Sequence, residues 1–335
     1  MTVPDRAGLG APVATVRVGG EVLDIALRLP ERSACAALER LGECDSITVD
    51  PHKMGYIPYP AGAVCFRSDL VKPIARQEAA YIVESAGGVE AERRSEGIGA
   101  YTLEGSRPGS AAAAVWLSHS LIPLDASGHG ALMRETIRAA CELHALLENY
   151  PALAGGAGRA GGRRVRAVCL CPPGSNIVCY AFVPAGREGV GLGAINALNR
   201  RVYEGFTLGA GQRVYDRSFF VSRTTLSASR YSQSAVGPLL ERLGVSEREY
   251  EREGVFLLRS VLMSPWYGAS KARGRYVLSE LCEALYRGAE EALDEMTARA
   301  AWGQRGRGPD RTLPGLPPAV AASRGTRGGA RRVTS

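Results

Sequence analysis

The sequence predicts an α/β chain whose C-terminal portion is a smaller α+β domain, and three observations predict it. β-branched runs alternate with segments of helical apolar spacing along most of the chain. A long apolar-periodic stretch, Leu132 to Leu147, is followed by Gly155 to Gly162, a Gly/Ala/Arg run of the kind that links domains. From Val165 onward the order hairpin, helix, strand, helix, strand, helix is that of an α+β unit. The expected organisation is a hairpin-like segment over 1–29, a first domain over 30–150, a small domain over 151–300 and a basic tail over 301–335.

Val13 to Val18 and Val22 to Leu27 flank Gly19-Gly20, the pattern of a β-hairpin. Pro30 to Leu41 reads as a helix, with proline in its first turn and apolar residues at Ala34, Leu38 and Leu41. Ser46 to Val49 is β-branched and predicts a short buried strand. Val71 to Val83 is helical in pattern, and Ser85 to Gly99 reads as a loop. Ser110 is placed to cap a helix over Ala111 to Leu121, and Pro123 to His129 turns the chain into the long helix that follows. Val165 to Cys171 and Ile177 to Val183 alternate around Pro172-Pro173-Gly174-Ser175-Asn176, a hairpin signal. A helix over Gly191 to Thr207, a strand over Phe219 to Leu226, a helix over Val236 to Leu243 and a strand over Val255 to Met263 come next. Lys271 to Thr297 closes the order as one long amphipathic helix.

Composition narrows the function classes. The net charge of +7 is concentrated after Ala301, where seven arginines stand against one aspartate, leaving +1 for the rest. That tail is rich in Gly and Pro and poor in large apolar residues, so it is expected to be disordered, and nucleic-acid binding rests on it alone. No run of eighteen apolar residues offers a membrane span, and the N-terminus lacks the pattern of a signal peptide. Eight cysteines without zinc-ligand spacing read as buried free thiols of a cytoplasmic protein. His119, His129 and His144 likewise read as surface or packing residues, so no metal is expected.

The densest chemistry lies in Asp45-Ser46-Ile47-Thr48-Val49-Asp50-Pro51-His52-Lys53-Met54-Gly55-Tyr56-Ile57-Pro58-Tyr59-Pro60. A strand breaks at Pro51 and delivers His52 and Lys53 onto a turn crowded with tyrosine, proline and glycine. Burying a lysine is costly, and desolvation lowers its pKa toward the neutral amine that attacks a carbonyl to form a Schiff base.

This segment resembles the Schiff-base segment of the pyridoxal-phosphate-dependent group II amino acid decarboxylases, bacterial tyrosine decarboxylases above all. The likeness continues through Tyr101-Thr102-Leu103-Glu104-Gly105-Ser106-Arg107 and Leu258-Arg259 to Met263-Ser264-Pro265, and covers about residues 30 to 298. It implies an aspartate-aminotransferase-like fold (fold type I), with residues 30–150 forming the C-terminal part of the large cofactor domain. It implies pyridoxal 5'-phosphate held by Lys53. It also implies that Tyr59, in a Tyr-x-Pro-Tyr pattern, lies near the Schiff base, where a phenol can return a proton to Cα.

Other roles stay open at this level. His52 contacts phosphate or substrate carboxylate, or is a turn residue. Tyr59 is catalytic, or a packed aromatic with its hydroxyl on a turn carbonyl. Ser106 and Arg107 form an anion-binding turn near the cofactor phosphate, or merely lead into a helix. Arg259, in an otherwise apolar strand, recognises a substrate carboxylate or pairs with Glu104 or another acid.

The family's phosphate loop, ring-stacking histidine and pyridine-nitrogen aspartate precede the lysine. The 52 residues before Lys53 offer no histidine but His52 and only Asp24 as a faint carboxylate. The expectation is therefore a decarboxylase subunit in a homo- or hetero-oligomer, its site completed by a second polypeptide carrying the N-terminal half. The alternative is a non-catalytic or truncated chain acting as a structural subunit. Which amino acid is the substrate is not legible.

Overall fold

A computed structural model describes residues 12–30, 32–58, 60–76, 108–154, 164–186 and 189–305. The chain divides into two compact units, 1–294 and 295–335, and only the helical stretch 295–305 of the second is described.

The first pair of strands, β1 (Val13–Val18) and β2 (Glu21–Ala26), is antiparallel with Val18 opposite Glu21. Gly19 and Gly20 both take positive φ, 60° and 93°, the backbone that a two-residue hairpin turn demands. Ala14, Val16 and Val18 point inward while their neighbours are exposed, the two-residue period of a strand with one buried face. Helix α1 (Arg32–Glu39) and a 3-10 turn over Arg40–Glu43 follow. Strand β3 (Ser46–Val49) pairs antiparallel with β4 (Ala63–Phe66).

The expected burial of β3 is not realised. Ile47 is its most sheltered residue and β4 is exposed throughout, because β3 and β4 form a two-stranded ladder of their own. Two more expectations need correction in this region. Helix α2 (Lys72–Ala75) ends at Arg76, whose extended backbone (ψ 126°) interrupts the helix predicted to run to Val83. Gly109, not Ser110, is the cap of α3 (Ser110–Leu121), and Ser110 is its first helical residue. The loop expected over Ser85 to Gly99 and the linker over Gly155 to Gly162 lie outside the described residues.

Helix α4 (His129–Ala154) is the spine of the larger unit. It buries Ala139, Ala140, Leu143, Leu146, Leu147 and Tyr150, and β1 and β2 also pack on it. Beyond it, β5 (Val165–Cys169), β6 (Ile177–Pro184), β7 (Ser222–Leu226) and β8 (Val255–Val261) form an antiparallel sheet in the order β5-β6-β8-β7. This sheet and the helices on it lie in the stretch from Val165 onward that reads as α+β in the sequence. Every strand pairing among the described residues is antiparallel, so the parallel sheet of the implied large domain is not among them.

One face of the sheet packs Val168, Ala181 and Leu257 against Ile195 of α5 (Leu192–Gly205) and Leu239 of α6 (Gln233–Leu243). The other gathers Phe182, Tyr150 and Tyr286, with Tyr286 stacked on Tyr150 at 4.7 Å and edge-on to Phe182 at 5.0 Å. Tyr286 comes from the final helix α9 (Val277–Arg305). Its hydroxyl donates to Leu147 O at 2.7 Å and accepts from Ala167 N–H at 3.1 Å, tying α4, β5 and α9 together.

Beyond Tyr180–Leu258 the β6–β8 ladder ends, and α5 supplies what the strands lose. Buried Asn199 accepts from Phe182 N–H at 2.7 Å and donates to Phe182 O at 2.8 Å. Asn196 accepts from Phe256 N–H at 2.9 Å and donates to Gly254 O at 2.9 Å. Two side-chain amides thus satisfy buried backbone groups that would otherwise be orphaned.

Two expectations about the helices are also corrected. The single helix expected over Lys271 to Thr297 is two, α8 (Tyr267–Ala272) and α9. Gly274 at φ 80° donates to Lys271 O, a left-handed stop that ends the first. A further helix, α7 (Glu247–Glu253), was not predicted, although Ser246 and Glu249 carry a reciprocal capping box. All eight cysteines are free, but Cys35, Cys44, Cys65 and Cys171 are exposed rather than buried. Among the described residues no helix is long and apolar enough to cross a membrane.

Candidate active site

The turn that follows β3 is built by its own backbone. Lys53 N–H donates to Asp50 O at 3.0 Å, Tyr56 N–H to Lys53 O at 3.1 Å, and Ile57 N–H to Pro51 O at 3.0 Å. Pro51, Ile57 and Ala61 are buried beneath it. Gly55 is required by close approach, because a Cβ there would sit 2.6 Å from Pro51 O, a backbone atom that cannot swing away. Tyr56 has φ 56°, unusual for a residue with a ring.

Two long-range contacts fasten the turn to the four-stranded sheet. Tyr56 Oη donates to Met263 O at 2.8 Å, just past the end of β8. Asn176 Nδ2, in the β5–β6 bend, lies 3.2 Å from Met54 Sδ and donates to Leu262 O at 3.1 Å. Tyr56, Met54 and Asn176 were not singled out in the sequence, since nothing in one segment reveals which strand end it will meet.

Lys53 therefore sits on a braced turn, but its side chain is not buried as expected. It is 57% exposed and its ammonium lies 2.7 Å from Asp50 Oδ2. That bond holds the Asp50 carboxyl below its ordinary range, against the opposing effect of burial. Asp50, three residues ahead on the same turn, is a site residue the sequence reading missed, although the i,i+3 spacing was visible. His52 is half-buried, and its Nδ1 donates to Ala61 O. This contact supports the reading of His52 as a turn residue.

Arg259 lies on β8 opposite Cys179 and Ser222, half-buried. Its Nη1 reaches Ser222 Oγ at 3.4 Å, and that hydroxyl donates to Arg259 O at 2.9 Å. Arg259 precedes Met263 by four residues, about 13 Å along a strand, so the Tyr56 anchor joins the lysine turn to the strand that carries it. Cys179 beside it has its thiol pKa raised by burial, with Arg259 pulling the other way.

Tyr59, Glu104, Ser106 and Arg107 lie outside the described residues. Asp24 is exposed on β2, where Thr15 Oγ1 donates to it at 2.7 Å. This cross-strand bond gives it a local structural role.

For pyridoxal phosphate, the described residues offer an amine at Lys53 and a neighbouring imidazole. They do not enclose a pyridine ring, because the lysine projects into solvent with its charge neutralised by Asp50.

Comparison with known proteins finds a family and several relatives. Residues 147–285 match the protein family described as "Tyrosine decarboxylase, C-terminal". The chain is 32% identical over 257 residues to the L-tyrosine decarboxylase of Enterococcus faecium, covering 76% of this chain and 39% of that protein. It is 32% identical over 232 residues to the L-tyrosine decarboxylase of Levilactobacillus brevis, covering 69% of this chain and 35% of that one. An L-aspartate decarboxylase of Thermococcus kodakarensis is 33% identical over 114 residues, 34% of this chain and 26% of the archaeal protein. The chain therefore spans less than two fifths of the length of these curated relatives. The matched family and the relatives agree, and over its C-terminal region this chain is similar to the tyrosine decarboxylases of the group II amino acid decarboxylases.

Proposed function

We propose that this chain is the lysine-bearing portion of a pyridoxal-phosphate-dependent amino acid decarboxylase, with its active site completed by a polypeptide carrying the family's N-terminal portion. In this reading the fold is aspartate-aminotransferase-like, β3 and β4 belong to the large cofactor domain, and the four-stranded sheet is the small domain. The observation that carries the proposal is Lys53 on a turn that spends a strained Tyr56, an obligatory Gly55 and two long-range contacts on its position. The exposed apolar side chains support a missing partner. Leu38, Val64, Phe66, Leu70, Ile74 and Trp116 are each about half exposed or more, and all fall in the segments that precede the small domain. Single exposed apolar residues are ordinary, but six of this size in one part of a chain are typical of surface covered in an assembly.

The relatives act, by their names, on L-tyrosine or L-aspartate, so the substrate class is an α-amino acid that loses its α-carboxylate. Arg259 and the family-matched Ser106, Arg107 and Tyr59 are the residues through which that choice and the cofactor phosphate are to be tested.

A second reading has its own observation. Lys53 is exposed and ion-paired, and a protonated amine is a poor nucleophile, which suits a non-catalytic subunit. One experiment separates the two. The chain is purified from its native host with whatever copurifies, reduced with borohydride in the presence of pyridoxal phosphate, and mapped by peptide mass. A pyridoxyl group on Lys53 in a hetero-oligomer that releases carbon dioxide from an amino acid is the expected result. Turnover by the isolated chain at full cofactor occupancy overturns the completed-site proposal, and label on another lysine overturns the assignment of Lys53.

A further inference from the structure

A second cluster of chemically capable side chains lies away from the lysine turn. His144 on α4 is 3% exposed, and its Nδ1 is a buried polar atom with no hydrogen-bond partner among the described residues. One helical turn on, at i+4, is Glu148, and across from both is Cys169, the fully buried last residue of β5. One ligand atom from each of the three lies within 4.8 Å of the others. His144 is buried, as the packing reading has it, and the fold sets two further ligand types beside it. The helix supplied His144 and Glu148 at a visible spacing, and only the packing of β5 on α4 brought the thiol.

From this geometry we infer a zinc site formed by His144 Nδ1, Cys169 Sγ and Glu148, with water as the fourth ligand. Imidazole, thiolate and carboxylate are ligands of a tetrahedral, borderline-soft divalent ion, and three protein ligands plus water is a common set. In such a tetrahedron the ligand atoms stand about 3.5 Å apart, so the cluster needs to close by about 1 Å. His144 gains the partner that its buried nitrogen lacks. Glu148 is already oriented, since its Oε1 accepts from Cys169 N–H at 2.8 Å and both its oxygens accept from Arg242 Nη2, at 2.6 and 2.8 Å. Arg242 Nη1 also donates to Cys169 O at 2.8 Å, so one guanidinium holds two of the three ligand residues. Hydrogen-bonded carboxylate ligands of this kind are the usual supports of protein metal sites.

The charges decide which ion suits the site. Thiolate and carboxylate together cancel a divalent cation. The remaining charge of Arg242 lies at the wet edge, where its side chain is 40% exposed and that of Glu148 24%. Binding replaces the thiol proton, which leaves to solvent as the sulfur–zinc bond forms, and no electron moves. The site would clamp α4 to β5 and, through Arg242, to α6.

The test uses the full chain with exposed Cys35, Cys44, Cys65 and Cys171 changed to serine, so that no surface thiol competes. After chelator treatment and re-addition of zinc, one tightly held equivalent by elemental mass spectrometry is expected. Cobalt(II) in its place should give the thiolate charge-transfer band and the intense visible absorption of a tetrahedral ion. Cys169→Ser and His144→Gln should each weaken zinc binding at least tenfold while keeping the circular dichroism of the parent. Zinc retained at one equivalent in both variants, or no zinc held by the parent, overturns the inference. Should either variant fail to fold, the cobalt spectrum of the parent still decides, because an octahedral spectrum without a thiolate band excludes the site.

Discussion

Gly55→Ala is the most direct probe of the lysine turn. A Cβ at residue 55 would approach Pro51 O to 2.6 Å, Pro51 Cα to 3.0 Å and Pro51 C to 3.2 Å. All three are backbone atoms of a buried proline, so relief requires the turn to open. Overpacking against atoms that cannot rotate away costs about 1–3 kcal/mol. The cost falls locally, since the turn meets the four-stranded sheet through Tyr56 and Met54. A local opening made easier by that amount raises the open population about 5- to 150-fold, while the global transition stays nearly unchanged. Limited trypsin digestion reads the opening, because cleavage after exposed Lys53 follows the open population when reclosing is fast. The cleavage rate at Lys53–Met54, normalised to a site elsewhere, should rise by at least fivefold in Gly55→Ala. Gly62→Ala is the control, as a Cβ there meets nothing within 4 Å, and its rate should match the parent. A Gly55→Ala rate within twofold of the parent would refute the argument that close approach shapes this turn.

Three further outcomes are expected. Asn199→Ala leaves Phe182 N–H and C=O buried without their side-chain partner, at about 1–3 kcal/mol for each orphaned group, so urea denaturation should show a loss of at least about 2 kcal/mol. A loss below 1 kcal/mol would mean that β6 finds another partner there. The N–H groups of Ser246 and Leu192 and the Ser246 hydroxyl hold the Glu249 carboxyl below its ordinary pKa. A lowered folded pKa gives stability that is present above the unfolded value and lost as pH falls through the folded one. The stability difference between the parent and Glu249→Ala should therefore be constant above pH about 6 and shrink in acid below about pH 4. A difference that grows on acidification would contradict the assignment. Tyr56→Phe removes the bond to Met263 O alone, so amide exchange of the 50–57 turn should quicken while that of the β5–β8 sheet stays as it was.

Much of the local structure was legible from neighbours in sequence. Gly19-Gly20 specifies its hairpin because only residues tolerant of positive φ close a two-residue turn, and the alternation on either side chose the inner face. The apolar spacing of Leu132 to Leu147 identified α4, and that of Val236 to Leu243 identified α6, since a 3.6-residue period is written along the chain itself. The capping box at Ser246 and Glu249 was equally local and could have revealed α7. The break between α8 and α9 rests on the backbone of a single glycine, Gly274, within a stretch whose apolar period otherwise continues.

The lysine turn divides along the same line. Residue order alone placed His52 and Lys53 after a strand and supplied Pro51 and Gly55 to bend the chain. Exposure is a property of what packs around a segment, and here it overturned the expectation of a buried Lys53: among the described residues β3 pairs with β4 alone, and the ammonium pairs with Asp50. The anchoring of that turn to Met263 and the meeting of Cys169 with His144 and Glu148 were likewise beyond the sequence. Such contacts join residues separated by up to 207 positions, and their selection depends on how whole strands and helices bury their faces together. The sequence by itself determined the chemistry carried by each segment, and only the tertiary structure decided which chemistries meet.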